Sequence, residues 1–168
     1  MSTFVVKGGK PLKGEITPQG AKNEALQVIS AVLLTSEKVT ISNIPNILDV
    51  VKLIQLLSKM GVIVDKIDES TYSFEAKNIN FDYLSGEDFK KDASSLRGSI
   101  MIVGPLLSRF GKGYIPRPGG DKIGRRRLDT HFLGFEKLGA KFNFDKGESF
   151  FTVEAEELKG TYMLLDEA

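Results

Sequence analysis

Residues 48–61 read LDVVKLIQLLSKMG, and their apolar positions recur at the three- and four-residue spacing of a helix with one buried face. Gly61 ends this pattern, as glycine commonly does where a helix stops. Upstream, residues 25–34 have the same helical spacing, whereas residues 38–42 alternate as a short strand does. The order around the quoted stretch is therefore helix, strand, helix.

Strands on both sides complete a larger unit. Residues 62–64 and 71–74 read as two strands joined by a polar turn, and we expect a further strand around residues 15–17. The resulting order, β-α-β-α-β-β, places the chain in the mixed α/β (α+β) class.

The same unit occurs a second time, because short motifs recur in the same order at nearly constant offsets. The matches are Leu33-Leu34 with Leu106-Leu107 at 73 residues, Lys38 and Ile41 with Lys112 and Ile115 at 74, and Lys59–Gly61 with Lys137–Gly139 at 78. The increase from 73 to 78 predicts a loop about five residues longer in the second copy.

A third copy begins, since Leu12-Lys13-Gly14 recurs as Leu158-Lys159-Gly160, an offset of 146. Repeats of this kind bury their apolar faces against their neighbours. We therefore expect two repeats plus the start of a third, and expect the 168 residues to be a fragment of a longer protein.

Composition narrows the class of protein. Hydrophobic residues make up 41% and charged residues 27%, which is typical of a globular domain. The absence of cysteine excludes a disulfide scaffold, a thiolate metal site and a cysteine nucleophile. No run of 18 apolar residues occurs, and the start of the chain lacks a signal-peptide pattern. We expect a cytoplasmic protein with no membrane partner.

Charge is concentrated in one segment. The whole chain carries a net charge of +1, but the segment from Arg109 to Arg127 holds seven basic residues and one acid, Asp121, giving +6. Only two aromatic residues, Phe110 and Tyr114, lie within it. This pattern favours a small phosphorylated ligand over nucleic acid, which needs aromatic stacking along a basic track.

Two segments are candidates for binding such a ligand. Lys22 and Asn23 follow Gly20-Ala21 at a predicted helix start, where free N–H groups and the helix dipole favour an anion. An ordinary helix cap with a solvated lysine explains the same residues. Residues 111–124 contain five glycines and two prolines, so they form either a binding lid or a solvated loop.

Each of the other charged residues has a functional and a structural interpretation. Arg97 lies at the start of the second copy's first helix, where it either binds an anion or is a surface arginine. Arg125-Arg126-Arg127 commonly forms a solvated face, and Asp121 beside two glycines commonly forms a turn. No catalytic triad, Walker loop or dinucleotide fingerprint is recognisable.

Several segments together resemble the enolpyruvyl transferase family, in the same order and over essentially the whole chain. They are Gly20–Asn23, Ile44-Pro45, Leu56-Leu57 with Met60-Gly61, Leu96–Ser99, Gly104–Leu106, Pro118–Gly120, Ile123–Arg126 and Asp129–His131. The resemblance implies an inverted α/β barrel of two domains built from β-α-β-α-β-β repeats. It further implies that residues 1–21 pair with the second, C-terminal domain, which is missing here, and that residues 22–168 form most of the first, sugar-nucleotide domain.

The resemblance also implies a reaction, the transfer of the enolpyruvyl group of phosphoenolpyruvate to the 3-hydroxyl of UDP-N-acetylglucosamine with release of phosphate. By position, phosphoenolpyruvate would contact Lys22, Asn23 and Arg126. The residues expected to contact UDP-N-acetylglucosamine are Arg97, Arg126, Arg127, Leu128, Asp129 and Thr130. We expect no cofactor and no metal.

One position departs from the common pattern of the family. Most members carry cysteine after Pro-Gly-Gly, whereas this chain and a minority of members carry aspartate, here Asp121. The resemblance assigns this residue the role of proton donor. Basic neighbours favour its ionised form, whereas burial under a closed loop favours the protonated one. Without the thiolate that fosfomycin alkylates, we expect resistance to that drug. The alternative is a non-catalytic module that binds the sugar nucleotide, or a catalytically silent relative of the transferases.

Overall fold

Two three-stranded antiparallel sheets organise the chain in the computed structural model, which describes residues 3–116, 128–145 and 150–164. The first repeat contains helix α1 (Lys22–Ala31) with a 3-10 turn (Val32–Leu34), strand β1 (Lys38–Ile41), helix α2 (Leu48–Lys59) and strands β2 (Ile63–Lys66) and β3 (Tyr72–Glu75).

The second repeat has the same order after two extra helices, α3 (Phe81–Ser85) and α4 (Glu87–Ser94). It contains a 3-10 helix (Arg97–Ile102) that leads into α5 (Val103–Phe110), then β4 (Lys112–Pro116), α6 (Asp129–Lys137), β5 (Lys141–Asp145) and β6 (Phe150–Glu154). The predicted order of helix, strand, helix and strand pair is therefore confirmed in both copies.

Strand pairing repeats as well. The third strand of each repeat lies in the middle of its sheet, giving the orders β1-β3-β2 and β4-β6-β5. Glu75 of β3 pairs with Lys38 on one side and Ile63 on the other, and Glu154 of β6 pairs with Lys112 and Lys141. The mixed α/β class with small sheets is confirmed.

Glycine ends the second helix of each repeat by the same means. After α2, Gly61 has φ of +97°, and after α6, Gly139 has φ of +102°. At Gly61 a Cβ atom would lie 2.7 Å from the carbonyl oxygen of Asn78, so a side chain is excluded by contact as well as by backbone conformation.

Most of the buried apolar surface belongs to the first repeat and the helices that follow it. One face of α2 contributes Val50, Leu53, Leu56 and Leu57, which pack with Phe74 of β3 and Phe89 of α4. The second repeat has a smaller cluster around Val103, Leu107, Ile115, Ala140 and Val153. Phenylalanine rings extend it, with Phe132 lying 5.0 Å from Phe142 and 5.1 Å from Phe151, centroid to centroid.

Arg109 connects the two repeats. Its Nη1 atom donates to the carbonyl oxygens of Leu33 at 3.0 Å, Thr35 at 2.9 Å and Ala76 at 2.7 Å. The guanidinium also lies over the ring of Phe110, 4.8 Å from its centroid. One half-buried cation thus satisfies main-chain oxygens at the end of α1's 3-10 turn and at the end of β3.

The strand expected around residues 15–17 is wrong. Residues 3–20 form no regular element in the described structure, and Ile16 is 93% exposed. A strand needs a neighbour for its main-chain hydrogen bonds, and the described residues offer it none. The pairing of residues 1–21 with a second domain stays a prediction. No helix in the described part of the chain is long and apolar enough to cross a membrane.

Candidate functional site

The start of α1 presents Lys22 and Asn23 at the surface. Ala21 precedes the helix in an extended conformation and provides no side-chain cap, while its carbonyl accepts from Ala25 N–H at 2.9 Å. The amides of the first turn are thus not capped by Ala21, and they point toward the end at which the helix dipole is positive. The predicted position of these two residues at a helix start is confirmed.

A close backbone approach fixes this helix start in place. A Cβ atom at Gly20 would lie 1.9 Å from the carbonyl oxygen of Asn43, well inside contact distance. Asn43 itself adopts a left-handed conformation with φ of 57°, and Ile44 N–H donates to Ser70 O at 2.8 Å. Glycine is therefore required where the chain entering α1 crosses the segment between β1 and α2.

The side chain of Lys22 has a partner that sequence reasoning did not identify. Its Nζ atom lies 3.0 Å from Oδ2 of Asp49, in the first turn of α2, and both side chains are about two-fifths exposed. The two residues are 27 positions apart, so only the packing of α1 on α2 brings them together.

Arg97 lies near the same helix. It is the first residue of its 3-10 helix, and a Cβ atom at the next residue, Gly98, would lie 3.1 Å from Cδ1 of Leu26 on α1. Leu26 is one helical turn beyond Lys22. The structure therefore places Gly98, the residue after Arg97, against the N-terminal half of α1, and a helix start is confirmed for Arg97 too.

Leu128, Asp129 and Thr130 begin α6, with Leu128 O accepting from Phe132 N–H at 3.2 Å. The helix packs on α5 through Phe135, whose Cζ atom lies 3.9 Å from the Cβ position of Gly104. Lys22 and Asn23 thus begin α1 and Arg97 precedes a residue that packs on it, whereas Leu128, Asp129 and Thr130 lie at the start of a helix that contacts α5 through Phe135. Asp121, Arg126 and Arg127 lie outside the described residues, and their roles stay predictions.

The sequence of the chain matches a family model over residues 6–166, that of EPSP synthase (3-phosphoshikimate 1-carboxyvinyltransferase). The chain belongs to the EPSP synthase family. The carboxyvinyl group in this description is the enolpyruvyl group, so the resemblance drawn from the motifs is confirmed.

Within the EPSP synthase family, the chain is similar to proteins named UDP-N-acetylglucosamine 1-carboxyvinyltransferase. It is 58% identical over all 168 residues to the protein of Bacteroides thetaiotaomicron and 54% identical to that of Porphyromonas gingivalis. It covers 39% of each relative. The chain therefore spans about two-fifths of the length of these curated relatives.

Solved structures share the fold of this chain. The enolpyruvyl transferase NikO from Streptomyces tendae aligns with a TM-score of 0.69 and 18% identity, over 90% of this chain and 32% of that one. EPSP synthase from Acinetobacter baumannii aligns with a TM-score of 0.62 and 16% identity, over 96% of this chain and 37% of that one. The expected fold class is confirmed.

A cavity of about 370 Å³ lies elsewhere in this EPSP synthase family chain, at the ends of β5 and β6. It is lined by Gly139, Lys141, Glu154, Ala155, Glu156, Glu157 and Lys159. Three carboxylates face two lysines there, so the lining disfavours a phosphorylated ligand. Across the three described segments, no group of three or more His, Cys, Asp or Glu side chains is placed to hold a metal ion.

Proposed function

We propose that the protein containing this chain transfers the enolpyruvyl group of phosphoenolpyruvate to the 3-hydroxyl of UDP-N-acetylglucosamine and releases phosphate. This reaction is the first committed step toward cell-wall peptidoglycan. Both substrates are cytoplasmic metabolites, so the proposed place of the reaction is the cytoplasm. Because the 168 residues span 39% of their relatives, the proposal concerns the whole protein.

The observation that carries the proposal is the similarity of all 168 residues to a protein named UDP-N-acetylglucosamine 1-carboxyvinyltransferase, at 58% identity. The geometry around α1 supports it, because Lys22 begins this helix and Gly98, the residue after Arg97, packs on Leu26 one turn further along. Two anionic substrates need more than one cation in a shared site, since each brings phosphate groups.

The chemistry assigns roles to the candidate residues. Asp121 would donate a proton to the methylene carbon of phosphoenolpyruvate, which leaves positive charge on the carbon that bears the phosphate oxygen. The sugar hydroxyl then bonds to that carbon and loses its proton. Loss of a proton from the new methyl group and cleavage of the bond to phosphate restore the double bond.

Binding roles follow the position of each residue. Lys22 and Asn23 at the start of α1 would hold phosphoenolpyruvate together with Arg126, because a helix N-terminus and cations stabilise a phosphate group. Arg97, Arg126 and Arg127 would contact the anionic part of UDP-N-acetylglucosamine. Leu128, Asp129 and Thr130 at the start of α6 would complete its binding site.

Phosphate release tests this proposal. The protein is expressed from its full reading frame and incubated with phosphoenolpyruvate and either UDP-N-acetylglucosamine, shikimate 3-phosphate or no acceptor. We expect phosphate release with the sugar nucleotide only. The second acceptor is included because the family description names 3-phosphoshikimate. Release with shikimate 3-phosphate alone would assign the other acceptor, and release with neither would refute the transferase.

A second candidate function concerns the 168 residues in isolation. They carry Lys22 and Arg97 but span 39% of the relatives' length, which favours a module that binds the sugar nucleotide without turnover. Titration calorimetry of the isolated chain with UDP-N-acetylglucosamine tests this candidate. Heat of binding without phosphate release supports it, and turnover by the isolated chain would refute it.

A further inference from the structure

The ion pair between Lys22 and Asp49 joins the first turns of two helices. Lys22 is the first residue of α1 and Asp49 the second residue of α2, and neither helix has a side-chain cap from the residue before it. A carboxylate in a first helical turn is favoured by the dipole of its own helix. Asp49 is therefore a stable anchor, and its Oδ2 atom holds the Lys22 ammonium at 3.0 Å.

The backbone on both sides of this pair is held in place. Gly20 packs on the carbonyl of Asn43 as described above, and the segment from Asn43 to α2 is tied down by Ile47 N–H, which donates to Pro45 O at 2.9 Å. Val51 N–H then donates to Ile47 O at 3.0 Å as α2 begins. Because both helix starts are fixed, the flexible part of the pair is the lysine stem.

An ion pair this exposed contributes little to stability. Its consequence is geometric, because a lysine side chain otherwise samples many rotamers at a surface. An ammonium group has three N–H donors, and one bond to Asp49 leaves two for a second anion. The second anion would then meet a cation whose position is already set, which reduces the ordering cost of binding.

We propose that Asp49 is a positioning residue that orients the Lys22 ammonium toward the phosphate group of phosphoenolpyruvate. This inference rests on the proposed function and on the role of Lys22 within it. Asp49 acts through Lys22 and does not itself touch the substrate. Its loss therefore weakens binding of phosphoenolpyruvate and spares binding of the sugar nucleotide.

The test is steady-state kinetics of the full-length protein and its Asp49→Asn variant, which keeps the size of the side chain and removes its charge. We expect KM for phosphoenolpyruvate to rise about ten-fold, with KM for UDP-N-acetylglucosamine changed less than about two-fold. Asp49→Glu, which restores the charge, is expected to recover much of the loss. A merely structural role would alter both KM values or the thermal midpoint instead.

The chain offers a matched control. Lys38 and Asp65 form a second exposed ion pair, at 3.4 Å and with the same separation of 27 residues, on the first sheet. Asp65→Asn is expected to leave both KM values within about two-fold of the parent.

A double-mutant cycle measures the coupling between Lys22 and Asp49. In a Lys22→Met background, Asp49→Asn is expected to cause no further rise in KM for phosphoenolpyruvate, because the group that it orients is gone. An undiminished effect in that background would overturn the proposal. So would an unchanged or lower KM in the Asp49→Asn single variant, since a lower value would make Asp49 a competitor of the substrate for Lys22.

Binding measurements separate this inference from the proposed function. If the wild-type protein releases no phosphate, the proposed function fails, and titration calorimetry with phosphoenolpyruvate then decides the role of Asp49. Weaker binding by Asp49→Asn but not by Asp65→Asn would support the inference. Equal affinity of the parent and Asp49→Asn, or no binding of phosphoenolpyruvate to the parent, would overturn it.

Discussion

Replacing Arg109 with alanine is expected to cost more stability than replacing an exposed lysine of the described residues, such as Lys159. The Nη1 atom of Arg109 donates to three main-chain carbonyl oxygens that belong to the first repeat, while Arg109 itself lies in the last turn of α5 in the second. Two of those carbonyls belong to Leu33 and Ala76, which are fully buried residues. Removing the guanidinium leaves these acceptors without this donor and removes one connection between the two repeats.

The size of this loss of stability follows from the number of hydrogen bonds that the Nη1 atom of Arg109 can donate. Nη1 carries two hydrogens, so two of the three contacts count in full, and hydrogen bonds from charged donors contribute about 1.5–3 kcal/mol each. The contact with the Phe110 ring adds about 0.5–1 kcal/mol. Water entering beside this half-buried side chain offsets part of the loss. We therefore expect a decrease of about 3 kcal/mol in the free energy of unfolding, or about 6–12 °C in Tm for a chain of this size.

Chemical and thermal unfolding, followed by circular dichroism, measure this loss. Arg109→Met keeps the apolar stem and is expected to retain only the packing part of the stability, whereas Arg109→Lys retains the charge but not the planar fork. Lys159→Ala is the control, because Lys159 is 75% exposed and its pair with Glu157 spans 3.4 Å. The control is expected to change stability by less than about 0.5 kcal/mol. An Arg109→Ala variant as stable as that control would refute the assigned role.

Three further predictions concern the helix start, an ion pair and the loop residue. Gly20→Ala is expected to weaken binding of phosphoenolpyruvate and to lower Tm, because its methyl group would overlap the Asn43 carbonyl; unchanged binding and Tm would contradict the close approach. The hydrogen bond from Lys59 holds the pKa of Asp92 below its ordinary value of 3.8, so its contribution to stability is present above that value and is lost as the pH falls through the lowered pKa. Unfolding measured from pH 6 to about pH 2 should therefore show that Asp92→Asn loses less free energy of unfolding than the parent does. Parallel plots of this free energy against pH would contradict the prediction. Phosphate release by the full-length protein is expected to persist in fosfomycin and to become sensitive in Asp121→Cys; irreversible inactivation of the parent by the drug would refute the first expectation.

Local signals were sufficient to predict the repeats. Amphipathic spacing marked α2, and the glycines at 61 and 139 marked the ends of equivalent helices with φ near +100° in both. The offsets between the copies also predicted a longer loop before α6, and the separations agree, since twelve residues lie between β4 and α6 against six between β1 and α2. Hydrophobic periodicity and turn-forming residues act within a few positions, so a single sequence is enough to predict them.

Features that depend on residues far apart in the sequence could not be predicted. The strand expected around residues 15–17 fails because no neighbouring strand is present in the described structure to pair with it. Helices α3 and α4 are short, and the burial of Phe89 and Ala93 that stabilises α4 comes from the main core rather than from a local pattern.

The candidate site divides in the same way. The helix-start positions of Lys22 and Arg97 followed from motifs alone, whereas the contact of Lys22 with Asp49 arises only when α1 packs on α2. A lysine and an aspartate 27 positions apart give no sequence signal, because exposed charged residues are common.

Under the proposed function, the protein that contains this EPSP synthase family chain makes a carboxyvinyl ether of UDP-N-acetylglucosamine. Mass spectrometry of the products identifies the acceptor when the full-length protein is given phosphoenolpyruvate, UDP-N-acetylglucosamine and shikimate 3-phosphate in one reaction. The proposed function predicts that the sugar nucleotide gains one carboxyvinyl group in place of a hydrogen, with equimolar phosphate, while shikimate 3-phosphate stays unmodified. A modified shikimate 3-phosphate beside unchanged UDP-N-acetylglucosamine would contradict it.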